Sequence, residues 1–177
     1  MALAEILNVL SGYDYPVMAQ GERIHLVVEA MRRAYRDRAQ FLGDPDFVDV
    51  PLARMMSLDF AAGLRASIHP HKATPSSLLP PVGPARERPD TTHFSIIDTE
   101  GNLAAVTQTV NLTFGNAFAV PGTGFVLNNE MDDFALKPGT PNAFGVMGYD
   151  ANAPEPGKRM LSSMTPTFMV SDDKVAV

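Results

Sequence analysis

Cysteine is absent from all 177 residues, which excludes disulfides, thiolate nucleophiles and Cys-ligated zinc. The redox compartment stays undetermined, because a cysteine-free protein works anywhere. Chemistry has to come from hydroxyls, carboxylates, imidazoles or amides. Basic residues are also in deficit: 14 Lys and Arg stand against 20 Asp and Glu, giving a net charge of -6 and a pI near 5.1. No basic stripe is available to follow a phosphate backbone, so nucleic acid is not an expected partner. Long apolar runs are missing as well. None approaches the roughly 20 residues that span a bilayer, and Met1 leads into an amphipathic pattern, not a charged stretch followed by an apolar one. The four histidines, His25, His69, His71 and His93, have no His-x-x-x-His spacing. Metal is not expected, and solvated or singly hydrogen-bonded imidazoles are the simpler reading.

What is present is an ordinary globular composition, 45% hydrophobic and 19% charged, enough for one domain or two modest ones. The two halves follow different periods. From Gly21 to Leu42 the residues Ile24, Val27, Val28, Met31, Ala34, Tyr35, Phe41 and Leu42 recur at helical steps and predict one buried stripe, with Arg32, Arg33, Arg36 and Asp37 mainly off it. Gly43 follows as the stop of that helix, and Pro45 blocks its continuation. A second helix is expected over about Leu52 to Ile68, with Met55 and Met56 in the core. Prolines 70, 75, 80, 81, 84 and 89 then forbid regular helix and predict an extended, accessible segment that tolerates a chain break.

After Asp90 the period becomes two. Thr91, His93, Ser95 and Ile97 share one face of a strand, Phe94 and Ile96 the other, and a second strand is expected over Leu103 to Asn111. If Thr99, Glu100 and Gly101 form a three-residue loop, Gly101 takes its left-handed position and the register is set. Ile97 then faces Leu103, Ser95 faces Ala105, His93 faces Thr107, and Thr91 faces Thr109. Opposed Cβ atoms lie roughly 4.5 to 5.5 Å apart, near enough for two hydroxyls to bond. A slip of one residue would send Thr109 to the other side. Further strands are expected at Phe125 to Leu127 and at Thr167 to Val170, and another from Val175 that is interrupted at the chain end. Residues Lys137 to Met160 read as a long Gly/Pro-punctuated loop, suited to a flap over a site.

A threonine hydroxyl needs somewhere to send its proton before it can attack. If the bond after Asp90 were cut, the new α-amino group of Thr91, with a pKa of roughly 7.7 to 8.0, would be that base. The uncut chain would be a zymogen. Glu130 and Asp133 beside Asn128 and Asn129 suit a substrate ammonium, although spacing alone favours a solvated acidic turn; the alternating oxygens and central glycine of a calcium loop are missing. Ser162 and Ser163 could donate to a carboxylate or simply make a turn, and no Gly-x-Ser-x-Gly elbow surrounds them.

Taken together, Thr91-Thr92-His93-Phe94-Ser95, Thr109-Val110-Asn111-Leu112-Thr113-Phe114-Gly115, Asn128-Asn129-Glu130-Met131-Asp132-Asp133-Phe134 and Leu161-Ser162-Ser163-Met164-Thr165-Pro166-Thr167 resemble gamma-glutamyltranspeptidases. Tyr35-Arg36-Asp37-Arg38, Leu42-Gly43-Asp44-Pro45-Asp46-Phe47 and Pro75-Ser76-Ser77 extend the resemblance over the whole chain. It implies an α+β protein with the N-terminal-nucleophile hydrolase fold, an αββα sandwich that would be incomplete here, made as a precursor that cuts itself. Residues 1–90 would be the C-terminal part of the large subunit and 91–177 the N-terminal part of the small one. Thr91 would be the nucleophile and Thr109 would orient its hydroxyl. Asn111, Glu130 and Asp133 would hold the substrate's α-amino end, and Ser162 and Ser163 its α-carboxylate.

The resemblance further implies glutathione or related gamma-glutamyl amides as donors, and water, amino acids or peptides as acceptors. It implies no cofactor and no metal, paired subunits after cleavage, and an exported protein whose signal would lie upstream of Met1. The loop Pro138 to Gly148 matches the family's lid, with Phe144 where many bacterial members have tyrosine. The family's substrate-binding arginine and its oxyanion glycine pair fall outside these residues, so this chain is expected to be unbroken and inactive or nearly so, since one lost oxyanion donor costs on the order of 100-fold. The rival expectations are a glutaryl-cephalosporin type acylase and a noncatalytic binding module on the same fold.

Overall fold

The computed structural model describes residues 1–79, 91–171 and 174–176. The bond between Asp90 and Thr91 and most of the proline-rich segment therefore lie outside the described residues. The chain is α+β and divides into two compact units, one formed by the described parts of 1–79 with 134–159 and the other by 91–133 with 160–176.

The first unit is helical. Helices α1 (Ala2–Leu10), α2 (Gln20–Phe41), α3 (Leu52–Met55) and α4 (Leu58–Ala66) follow one another, and α1 packs on α2 and α4. Their shared core is Val9, Leu26, Ala30, Ala61, Leu64 and Ile68, with Ile6, Leu10, Tyr13, Met18 and Phe60 at its margin. A fully buried aliphatic side chain such as Val9 stabilises by about 1.5–3 kcal/mol. At the start of α2 the Glu22 carboxylate accepts the Ala19 N–H at 3.1 Å, satisfying one of the donors that a helix start leaves open.

The buried face of α2 is not the one its apolar periodicity predicts. Ile24, Val28 and Met31 are exposed, at 57%, 47% and 42%, whereas Glu29, Arg33 and Asp37 are buried. These charges are buried because they are paired. Arg33 donates to Glu29 at 2.6 Å and, through its other nitrogens, to the Ser67 hydroxyl and carbonyl and to Thr74 Oγ1. Glu29 also accepts from Arg32, the Thr74 N–H and the Thr74 hydroxyl. Burial alone would raise the Glu29 carboxyl, but the bonds from Thr74, Arg33 and Arg32 outweigh it and hold it at about 2.

Two further expectations change. The helix expected over 52–68 breaks at Met56 and Ser57, because the Ser57 hydroxyl accepts the Phe60 N–H at 3.1 Å and caps a new start. Met55 is buried but Met56 is 47% exposed. Gly43 follows the C-cap Leu42 of α2, as expected of a stop, but with no left-handed backbone; it is small for lack of space, since a Cβ there would collide with the Ala151 carbonyl. Residues 137–160 form a loop, as expected, with one 3₁₀ turn at Asp150–Asn152, drawn together by backbone bonds from the Ala135 N–H to Asn152, the Gly139 N–H to Gly148 and the Asn142 N–H to Val146.

Glu5 of α1 is fully buried, and neither of its oxygens meets a donor among the described residues. Burial first, and the neighbouring Asp37 carboxylate second, push its carboxyl up to about 7 from 4.5. A raised folded-state value means that stability is full below the unfolded value and is lost as pH rises through the folded one. Glu5→Gln should therefore stabilise the protein by on the order of 1 kcal/mol at about pH 8 and change little at about pH 5, as chemical denaturation at the two pH values would show. Equal effects at both would refute the buried acid.

The second unit contains two antiparallel ribbons, β1 (Thr92–Ile97) with β2 (Leu103–Gln108), and β3 (Met169–Ser171) with β4 (Lys174–Ala176). The strand expected at 125–127 is reduced to a single bridge between Ala119 and Val126.

Candidate active site

The β1–β2 register is set by its loop. Gly101 has φ 85, its N–H bonds the Asp98 carbonyl, and the Asp98 N–H bonds the Asn102 carbonyl. The Asp98 carboxylate accepts the Asn102 side-chain amide at 2.7 Å and the backbone N–H groups of Asn102 and Glu100 at 2.8 and 2.9 Å. These bonds, the Asn102 side chain foremost, hold its carboxyl below the usual range. The resulting pairs include Ile97 with Leu103, Ser95 with Ala105, and His93 with Thr107, as the three-residue loop requires.

Where the ladder ends, Thr91 Oγ1 lies 3.2 Å from Thr109 Oγ1. Thr91 is exposed and Thr109 half-buried. Thr91 Oγ1 donates to Thr109 Oγ1, which also accepts the Asn111 N–H at 3.0 Å. His93, on the same face, is not merely solvated: its Nδ1 bonds Thr107 Oγ1 at 2.7 Å and its Nε2 bonds Ser95 Oγ at 3.0 Å. Sequence reasoning missed this bridge, although the three residues share one face of the expected register.

Asn111 is buried and left-handed, with φ 75, a conformation asparagine tolerates better than most residues. Its Nδ2 donates to the Asn129 carbonyl at 3.1 Å, while Asn129 Oδ1 accepts the Leu112 N–H at 3.0 Å and the Asn129 N–H reaches the Val110 carbonyl. Asn129 thus staples the acidic turn to the end of β2, a role that no local spacing announces. Close approach is possible because Gly115, at φ 55, has no Cβ to strike the Leu127 carbonyl.

Glu130 opens a 3₁₀ turn, Glu130–Asp133, whose first N–H is taken by Asn128 Oδ1 at 3.0 Å. Glu130 and Asp133 are both half-buried. Glu130 Oε1 is buried and meets no donor among the described residues, and burial pushes the carboxyl up. A carboxylate oxygen in that condition gains most from a cation that brings its own N–H donors. Ser162 is exposed and its Oγ accepts the Met164 N–H at 3.1 Å, which leaves its hydroxyl proton available. Ser163 beside it is exposed as well. The hydrogen bonds therefore gather Thr91, Thr109, Asn111 and, through Asn129, the Glu130 turn, whereas Ser162 is placed by a local turn of its own. Among the described residues no group of three metal-ligating side chains occurs.

The fold is that of a solved cephalosporin acylase from Bacillus halodurans, with a TM-score of 0.67 and 23% identity over 92% of this chain and 27% of that one. The gamma-glutamyltranspeptidase family description matches residues 1–177, and the chain belongs to that family. It is 46% identical to the glutathione hydrolase proenzyme of Pseudomonas sp. (strain A14), over 100% of this chain and 31% of the relative. It is 36% identical to the Acylase ACY 1 proenzyme of Pseudomonas sp. (strain V22), over 98% of this chain and 29% of the relative. The chain thus spans about a third of the length of such relatives.

Proposed function

We propose that this chain is the subunit junction of a longer precursor with the N-terminal-nucleophile αββα fold, and that the whole protein transfers gamma-glutamyl groups from glutathione or related amides to water or an amine. The observation that carries the reading is the 3.2 Å contact between the Thr91 and Thr109 hydroxyls at the end of a register-matched ribbon. Cleavage after Asp90 frees the Thr91 amine. Thr91 Oγ then attacks the gamma-carbonyl carbon as that amine takes the hydroxyl proton. The intermediate collapses with loss of the amine half of the substrate, which leaves with the proton, and an ester on Thr91 remains. Water or an acceptor amine attacks the ester, gives up a proton and regenerates the hydroxyl.

In this reading Asn111, Glu130 and Asp133 hold the substrate's α-amino end, and Ser162 and Ser163 its α-carboxylate. The unmet Glu130 oxygen supports an ammonium-bearing substrate, and the proenzyme names among the relatives support processing. An acylase with no α-amino requirement is the second reading, favoured by the acylase relative and the acylase fold. A chromogenic gamma-glutamyl anilide and its glutaryl counterpart, given to the full-length precursor, separate the two. Release from the first and little from the second is expected, and the reverse preference would hand the site to the acylase reading.

A further inference from the structure

Asp44 and Arg159, 115 residues apart, make a donor-rich long-range contact in the first unit. The Asp44 carboxylate, 4% exposed, accepts the Arg159 backbone N–H at 2.8 Å, Nε at 2.9 Å and Nη2 at 2.5 Å. Arg159 Nη2 also reaches Asp46 Oδ2, and the Asp46 N–H turns back onto Asp44 Oδ1 at 3.2 Å. Around this pair the surfaces fit closely. Gly43 has no Cβ where the Ala151 carbonyl passes, and the buried Lys158 bonds Glu155 and sits 5.8 Å from the centre of the Phe47 ring.

Residues 43–47 precede Thr91 and residues 151–159 follow it. Resting on the cleavage proposed above, we propose that Asp44 is an anchor acting across the cut, holding Arg159 once the two sides are separate chains and so keeping the two parts of the first unit together. One carboxylate takes both the main-chain N–H and the guanidinium of the same residue, so it holds a backbone position as well as a charge. Planar two-point pairing of this kind is the geometry in which arginine and lysine are not interchangeable.

The test uses the full-length precursor with Asp44→Asn, Arg159→Gln and Arg159→Lys. All three are expected to be cut into two polypeptides on a denaturing gel. In Asp44→Asn and Arg159→Gln the two polypeptides should separate during gel filtration at lower salt than the wild type's, and Arg159→Lys should recover only part of that salt resistance. Should Asp44→Asn fail to fold, Arg159→Gln decides alone, because that side chain is 64% exposed. Unchanged salt resistance in Asp44→Asn and Arg159→Gln overturns the role of Asp44. A wild-type precursor that is never cut overturns the parent reading, and with it the claim that this contact joins two chains.

Discussion

Thr91→Ala in the full-length precursor is expected to abolish the cut before residue 91 and to lower turnover of a gamma-glutamyl anilide by a factor on the order of 10⁶, the scale seen when a covalent nucleophile is removed. The reason is that the Thr91 hydroxyl has two uses in the proposed chemistry: it opens the peptide bond before it and later carries the acyl group. Thr91→Ser keeps a hydroxyl and should retain both reactions at reduced rates. A gel showing two polypeptides from the alanine variant, or a turnover near that of the wild type, would remove Thr91 from the mechanism. Mass spectrometry of the smaller polypeptide gives an independent reading, because the wild type should begin at Thr91.

The second large effect is expected at Thr109. Its Oγ1 accepts the Asn111 N–H at 3.0 Å and lies 3.2 Å from Thr91 Oγ1. Held by the Asn111 N–H, Thr109 Oγ1 is a fixed acceptor for the Thr91 hydroxyl and so sets the direction in which that hydroxyl points. Thr109→Val keeps the shape and loses that bond, so kcat should fall about 100-fold or more with KM changed little, the usual scale for one positioned proton partner. Valine also leaves the Asn111 N–H without an acceptor, so Thr109→Ser is the control, and it should keep most of the rate. A valine variant with kcat near that of the wild type would remove the Thr109 hydroxyl from the mechanism, and equal losses in serine and valine would show that the hydroxyl alone does not account for the effect.

The ribbon that makes these predictions possible was legible because its determinants are local. A Gly at the left-handed position of a three-residue loop and an Asp that caps the same loop leave one register open, and a period of two then places Thr91 opposite Thr109. The same reasoning failed on α2. Its apolar residues have a helical period, but period reports only that one face differs from another, not which neighbour is available. Here the neighbours of the buried face are Ser67 and Thr74, which bring donors and acceptors, so a Glu29–Arg33 pair is buried and Ile24, Val28 and Met31 stay exposed. Gly43 ends the helix as its position suggested, but only the passage of Ala151 reveals that it is small for lack of room.

By itself the sequence determined the family, the hairpin, its register and the pairing of two threonines, all of which follow from residue order within about twenty positions or from motifs that survive as strings. Only the tertiary structure decided that Asn129 ties the acidic turn to Asn111, that His93 is bridged on both ring nitrogens, and that Asp44 grips Arg159. The physical reason is that a hydrogen bond is short and directional, so its partner is chosen by where distant parts of the chain come to rest. Composition and periodicity carry no record of that choice.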